Sequence, residues 1–171
     1  MERGWGMMLK NFFTEDVIVD NHALNGRSSK SFISEGHWQK VVEKIKPGDY
    51  VFIQFGHNDE KDDPKRHTDP GTTFDENLRK FVKETRMRGG IPVLFNRIFT
   101  NSKTAVADDD TRSNSSADLV EGDTLVDTHG DYLLSPRNVA RELDVPFVDA
   151  NKITHDLEQG LGPDKSKKLH M

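Results

Sequence analysis

The stretch Tyr50–Asp59, which reads YVFIQFGHND, decides how the rest of the chain is interpreted. Its first half is aromatic and β-branched, which is typical of a strand buried on both faces of a parallel sheet. The turn signal Pro47-Gly48-Asp49 precedes it. The polar run Gly56–Asp59 follows directly, and ligands of open α/β sheets bind beyond the carboxyl ends of the strands. The pattern predicts a functional loop here, with a simple Asn/Asp turn before the next helix as the alternative.

Outward from this stretch, strand-like and helix-like patterns alternate along the chain. Strands are predicted at 16–23, 50–55, 91–96 and 145–150. Helices are predicted at 5–13, 32–45 with Ser31 as N-cap, 74–88 with Thr73 as N-cap, 131–143 with a possible later start at Pro136, and 153–161. Such alternation implies βαβ units, a parallel sheet with helices on both faces, and right-handed crossovers.

Two segments, 60–72 and 100–122, are polar and carry no periodicity, so we expect surface loops. The second contains Asp108-Asp109-Asp110. This triplet is compatible with a cation site, but a solvated acidic loop is the commoner outcome of such a run.

Composition excludes several classes of function. The 171 residues suit one domain, and the net charge of −5 without a basic stripe argues against nucleic-acid binding. The absence of cysteine removes disulfides, a thiol nucleophile and a cysteine-based zinc site. The sequence has neither a signal peptide nor a membrane span, and it lacks the short motifs of metalloproteases, P-loop NTPases, dinucleotide-binding proteins and α/β-hydrolases with a G-x-S-x-G elbow. No cofactor or metal is implied.

Two loops that follow consecutive predicted strands carry hydrogen-bond donors. One contains Gly26, and the other contains Asn58. Because both lie at the carboxyl edge of the predicted sheet, the Gly26 backbone N–H and the Asn58 side-chain amide can donate to one developing oxyanion. The neighbouring Arg27 and His57 are candidate substrate contacts, with a structural ion pair and a loop-orienting role as the alternatives.

The runs Gly26–Phe32, Glu35–Trp38 and Lys46–Asp59 resemble the SGNH (GDSL) hydrolases, and within them the rhamnogalacturonan acetylesterases. The similarity spans nearly the whole chain, from Glu2–Gly6 to His129–Tyr132. It implies a three-layer αβα, flavodoxin-like fold and a serine esterase that removes acetyl groups from pectic polysaccharide. It also implies that Gly and Asn of the family's second and third blocks correspond to Gly26 and Asn58, and that the full-length protein is secreted or periplasmic.

The family's first block, Gly-Asp-Ser, and its last block, Asp-x-x-His, do not occur in this sequence; Asp127-Thr128-His129 has the wrong spacing. We therefore expect residues 1–171 to be a single incomplete domain that lacks the first strand and last helix, is inactive alone, and is marginally stable. In the family's strand order the missing first strand would lie between the strands at 17–21 and 51–55, leaving them either unpaired or paired directly.

Two other interpretations stay open. The chain is alternatively a non-catalytic remnant of the same fold whose loops bind an acidic glycan. A flavodoxin-like regulatory or nucleotide-binding domain is supported weakly by three aspartates at predicted strand ends, Asp20, Asp59 and Asp149.

Overall fold

Helices and strands alternate in the computed structural model, which describes residues 4–99, 119–121, 124–126 and 129–166. The helices are α1 (Trp5–Met8), continued by a 3₁₀ turn at Leu9–Phe12, α2 (Ser29–Ser34), α3 (His37–Lys44), α4 (Thr73–Met87), α5 (Asp131–Leu143) and α6 (Ala150–Ser166). The strands are β1 (Tyr50–Gln54), β2 (Ile91–Phe95), β3 (Leu119–Glu121), β4 (Thr124–Val126) and β5 (Phe147–Val148). None of the helices in these ranges is both long and apolar enough to cross a lipid bilayer.

The principal sheet has three parallel strands in the order β1-β2-β5. Tyr50 pairs with Ile91 and Gln54 with Phe95, so β1 and β2 are aligned along their full length. All three strands therefore end at one common edge, the carboxyl edge. The predicted α/β class with a parallel sheet is confirmed.

The core lies on one face of this sheet, beneath α2, α3, α4 and α5. Its buried side chains are Phe32, Trp38, Ile45, Ile53, Phe74, Leu78, Phe81, Val82, Leu94, Val139, Ala140 and Val145. Phe81 stacks on Phe55 at 5.1 Å between ring centroids and meets Trp38 edge-on at 4.6 Å. Helical spacing on α4 and strand alternation on β1 bring these side chains to the same layer.

The other face of β1 is open, which corrects the prediction that this strand is buried on both faces. Ile53 is 3% exposed, whereas Tyr50 is 68% and Phe52 40% exposed. Trp5 covers only the carboxyl end, where its Nε1 donates to Gln54 Oε1 at 2.7 Å and its ring lies 5.5 Å from that of Phe95.

The strand predicted at 16–23 does not form, and this prediction was wrong. Residues 17–24 form no ladder hydrogen bonds, and Ile18 is 90% exposed. A strand needs a neighbour to accept and donate its backbone hydrogen bonds. In the described part of the chain β1 is an edge strand, and its outer side pairs neither with residues 17–24 nor with any other segment.

The helix predicted at 32–45 is two helices. Gly36 adopts a left-handed conformation with φ of 77° and ends α2 before α3 begins. The N-cap is Ser28 rather than Ser31: the Ser28 hydroxyl accepts from Ser31 N, and the Ser31 hydroxyl accepts from Ser28 N, which forms a capping box.

The remaining boundaries differ from the predictions by a few residues. Helix α4 begins at Thr73, so its N-cap residue is Thr72 and not the predicted Thr73, and it ends before Gly89-Gly90. A Cβ on Gly90 would lie 2.8 Å from a methyl of Ile45 and 3.0 Å from one of Thr85, so glycine permits this close approach.

Two later helices also depart from prediction. Helix α5 begins at Asp131 and contains Pro136 in its interior. Helix α6 extends beyond the predicted 153–161 and includes a break at Gly162. The predicted loop 100–122 contains one strand of the antiparallel β3–β4 hairpin at its end, while the triplet Asp108–Asp110 lies outside the described residues.

Candidate active site at the carboxyl edge of the sheet

Two loops meet at the carboxyl edge next to β1. The first contains Gly26 and leads into α2; the second contains Asn58 and follows β1. Asn58 Nδ2 donates to the carbonyl oxygen of Arg27 at 3.4 Å, which places the amide beside the residue that follows Gly26. Gly26 has φ of 73°, a conformation that favours glycine. The structure thus brings the two predicted oxyanion donors to the same rim.

A buried carboxylate joins these loops. Asp59 is fully buried, and its oxygens accept hydrogen bonds from four groups: Ser29 N at 3.0 Å, the Ser29 hydroxyl, Gly56 N at 3.1 Å and Thr68 Oγ1 at 2.9 Å. Burial raises the pKa of Asp59, while these hydrogen bonds act in the opposite direction. We call Asp59 and its four donors the Asp59 clamp. In the sequence Asp59 belongs to the polar run after β1 and supports a nucleotide site weakly; its four donors could not be predicted from the local pattern.

Helices α4 and α5 support the clamp from behind. Asn77 Nδ2 donates to the Ser29 hydroxyl at 2.9 Å. The Tyr132 hydroxyl donates to the carbonyl oxygens of Asp59, at 3.2 Å, and of Thr68. Burial, together with the nearby Asp59 charge, raises the pKa of Tyr132 to about 12. The loops are therefore fixed to the helical layer.

The predicted substrate contacts Arg27 and His57 lie at the same rim. Arg27 Nε donates to Glu35 at 2.8 Å and its Nη1 to the carbonyl oxygen of Asn25 at 3.3 Å, so this side chain forms the ion pair given above as its alternative. The side chain of His57 is 53% exposed and lies 3.6 Å from Glu60. None of these contacts joins Arg27 to His57. The roles of both side chains toward a substrate stay predictions.

A buried charged cluster lies next to this rim and was missed from the sequence. Glu60 accepts from Arg97 at 3.3 Å and contacts His129 Nδ1 at 2.8 Å, and Arg97 also contacts His129. The three side chains are at most 9% exposed. They come from three distant segments, so no local spacing indicates their association.

Each of the three aspartates of the nucleotide-binding interpretation is bound by different partners. Asp20 binds Lys44, and Asp59 is enclosed in its clamp. Asp149 accepts from Asn96 at 2.8 Å; burial acts to raise its pKa, but hydrogen bonds outweigh burial and leave the pKa below its usual value. No group of three or more acidic or histidine side chains suited to a metal ion occurs within the described ranges.

The chain combines a parallel α/β sheet with two polar loops that meet at its carboxyl edge. The chain belongs to the GDSL-like lipase/acylhydrolase family, whose model matches residues 1–171. The resemblance drawn from Gly26–Phe32 and Lys46–Asp59 is thereby confirmed.

Individual relatives agree with this assignment. Rhamnogalacturonan acetylesterase RhgT of Bacillus subtilis is 37% identical over 166 residues, which are 97% of this chain and 63% of RhgT. The probable rhamnogalacturonan acetylesterase YesY of the same organism is 41% identical over 92 residues, 53% of this chain and 42% of YesY. The chain thus spans less than two thirds of the length of these relatives.

A solved structure shows the same fold. The crystal structure of protein YxiM of Bacillus subtilis superposes with a TM-score of 0.74 at 24% identity and covers 98% of this chain and 43% of YxiM. At this identity the match establishes the fold and not the activity.

Proposed function

We propose that this chain carries the oxyanion-binding part of a carbohydrate esterase that removes acetyl groups from rhamnogalacturonan-type pectin. The observation that supports it most directly is the contact between the Asn58 amide and Arg27, which brings Asn58 to the Gly26 loop. Family membership supports acyl-ester hydrolysis, and the names of RhgT and YesY support the substrate.

In the proposed reaction a serine hydroxyl attacks the acetyl carbonyl, and its proton passes to a histidine held by an aspartate. The carbonyl oxygen becomes negative in the tetrahedral intermediate. The Gly26 N–H and one N–H of the Asn58 amide donate to that oxygen; the second amide hydrogen faces the Arg27 carbonyl. The intermediate collapses to an acyl-enzyme while the histidine returns its proton to the leaving sugar oxygen. The histidine then takes a proton from water, which attacks the acyl-enzyme; return of that proton to the serine oxygen releases acetate and restores the serine.

The proposal assigns the oxyanion donors to this chain and leaves the nucleophile and base unassigned. The sequence contains no Gly-Asp-Ser and no Asp-x-x-His. We therefore expect no turnover from the chain alone. The exposure of His57 beside Asn58 supports a contact with the sugar as part of this proposal, whereas the Arg27 guanidinium is already shared with Glu35. A secreted or periplasmic location is part of the proposal, because the polymer lies outside the cell.

A hybrid enzyme tests the proposal. The parts of RhgT that lie outside the matched region are joined to this chain, and acetate release from acetylated rhamnogalacturonan is measured for the hybrid and for its Asn58→Ala variant. Removal of one oxyanion donor is expected to lower kcat by about 10²–10³-fold with little change in KM. Asn11→Ala is the matched control, since Asn11 is an exposed asparagine in the 3₁₀ turn after α1.

Two results would redirect the proposal. An unchanged kcat in Asn58→Ala removes Asn58 from the oxyanion site. A hybrid that releases no acetate, combined with binding of rhamnogalacturonan oligosaccharides by the chain itself, supports the non-catalytic glycan-binding interpretation instead.

A further inference from the structure

We infer that Asp59 is a positioning residue for both oxyanion donors, acting through the hydrogen bonds by which its buried carboxylate holds the Gly26 loop against the Asn58 loop. This inference rests on the proposed function. It concerns a side chain that takes no part in the proposed proton transfers and that contacts neither the serine nor the acyl group in them.

The geometry places one carboxylate between the two loops. Ser29, the first residue of α2, follows Gly26 by three positions, and its N–H donates to Asp59. The Ser29 N–H reaches both carboxylate oxygens, at 3.0 and 3.1 Å, and Gly56, the second residue after β1, donates its N–H to one of them at 3.1 Å. Asp59 is itself the residue after Asn58. A displacement of this carboxylate therefore moves both donors relative to each other.

The hydrogen bonds at this position favour an ionised carboxylate. All four partners in the Asp59 clamp donate, and an ionised carboxylate is a group that only accepts. The amide of an asparagine offers one acceptor oxygen and one donor NH₂. In one orientation the NH₂ faces Gly56 N, which then has no acceptor. In the other it replaces the oxygen that accepts from Thr68 and the Ser29 hydroxyl, and Ser29 N keeps only the second oxygen, at 3.1 Å. Either way the clamp loses acceptors in a site that water does not reach, and the hold on the two loops weakens.

The other contact between the loops does not replace the clamp. Asn58 Nδ2 donates to the Arg27 carbonyl at 3.4 Å, and Asn58 Oδ1 accepts from Arg66 at 3.5 Å. Both distances are long for hydrogen bonds, so these contacts hold the loops less firmly than the bonds to Asp59. Next to Gly26 and Asn58 the short bonds are those to Asp59; the Lys30 Nζ bond to the Pro64 carbonyl, at 2.7 Å, lies farther along both segments.

The first experiment uses this chain as it stands. Amide hydrogen exchange is measured by NMR in the wild type, in Asp59→Asn and in Asp62→Asn, an exposed aspartate three residues away. We expect Asp59→Asn to accelerate exchange at Ser29 N or Gly56 N by at least about tenfold and to shift the Gly26 resonance. The Asp62→Asn control is expected to leave all three signals unchanged.

The second experiment separates positioning from stability in the RhgT hybrid. Misplacement of reacting groups by about 1 Å costs on the order of 10²-fold in rate, so we expect kcat of Asp59→Asn to fall by about that factor while KM changes by less than about threefold. Val82→Ala, a core variant distant from the rim, destabilises the fold and is expected to keep the wild-type kcat.

Each outcome decides a separate claim. Wild-type kcat in an active Asp59→Asn hybrid, or unchanged exchange at both Ser29 and Gly56, overturns the positioning role and leaves the proposed function standing. An inactive wild-type hybrid refutes the proposed function, and the exchange data on this chain then decide the clamp alone. If Asp59→Asn does not fold, Asp59→Glu is used, which keeps the charge and moves the carboxylate by one methylene; wild-type kcat in that variant also overturns the inference.

Discussion

The N-cap of α2 offers a quantitative test of how the Gly26 loop is held. Ser28 is fully buried and Ser31 is 4% exposed, and the Ser28 hydroxyl accepts from Ser31 N at 3.1 Å. Ser28→Ala removes that acceptor. Loss of a serine N-cap costs about 0.5–2 kcal/mol. The cost here belongs near the upper end, because the Ser31 N–H would lose its acceptor at a buried position where water cannot replace it. We expect a loss of about 2 kcal/mol in the free energy of unfolding.

The measurement is urea-induced unfolding of the chain, followed by the fluorescence of Trp5 and Trp38. In thermal unfolding of a protein of this size, the same loss of about 2 kcal/mol lowers Tm by about 4–8 °C. Ser34→Ala is the control, because the Ser34 hydroxyl makes only a 3.4 Å contact with the Ser31 carbonyl at the end of α2. Equal losses in the two variants, or a loss below about 0.5 kcal/mol in Ser28→Ala with an unchanged m-value, would refute the reasoning.

Three further predictions concern other parts of the molecule. Gly90→Ala places a methyl against the side chains already in contact with that residue and is expected to destabilise by about 1–3 kcal/mol in urea unfolding, whereas Gly160→Ala, in an open helical position, is neutral or stabilising. In alkaline difference titration of the wild type against Tyr132→Phe, Tyr132 ionises near pH 12; since its folded pKa is raised, the stability it contributes is complete below about pH 10 and is lost as pH rises toward 12. In Arg27→Ala the pKa of Glu35, which Arg27 and then His37 lower, rises toward its usual value in a carboxyl NMR titration.

Each of these has a clear failing result. Equal stability changes in the two glycine variants would show that the core yields to the added methyl. A Tyr132 midpoint near pH 10 would show a hydroxyl open to water. An unchanged Glu35 pKa in Arg27→Ala would show that the ion pair does not form in solution.

The sequence predicted those parts of the fold whose signals are local. Strands β1 and β2 and helix α4 follow from strong periodicity and from Gly89-Gly90, and the loop that carries Asn58 follows from its place after β1. The Gly26 loop lies at the same rim, although the strand predicted before it does not form. Periodicity could not locate the break at Gly36, because the apolar spacing continues across it while the backbone turns left-handed.

The errors depend on neighbours rather than on local pattern. Residues 16–23 have the composition of a strand, but no described segment offers them a ladder. Burial of both faces of β1 was inferred from Phe52 and its neighbours, although burial depends on what covers each face. The Asp59 clamp and the Glu60–His129 pair arise from contacts between segments about 30 to 70 residues apart, which no short motif encodes.

The unpaired outer edge of β1 has a consequence for how the purified protein behaves in solution. Within the described ranges the outer edge of β1, at Tyr50 and Phe52, has no ladder partner, and such an edge is a template onto which a strand of another molecule can add. What opposes such growth is mutual repulsion between molecules of net charge −5, and this repulsion disappears near the isoelectric point of about 5.8. Purified samples should therefore stay dispersed in mildly alkaline, low-salt buffer and become turbid on acidification toward pH 6.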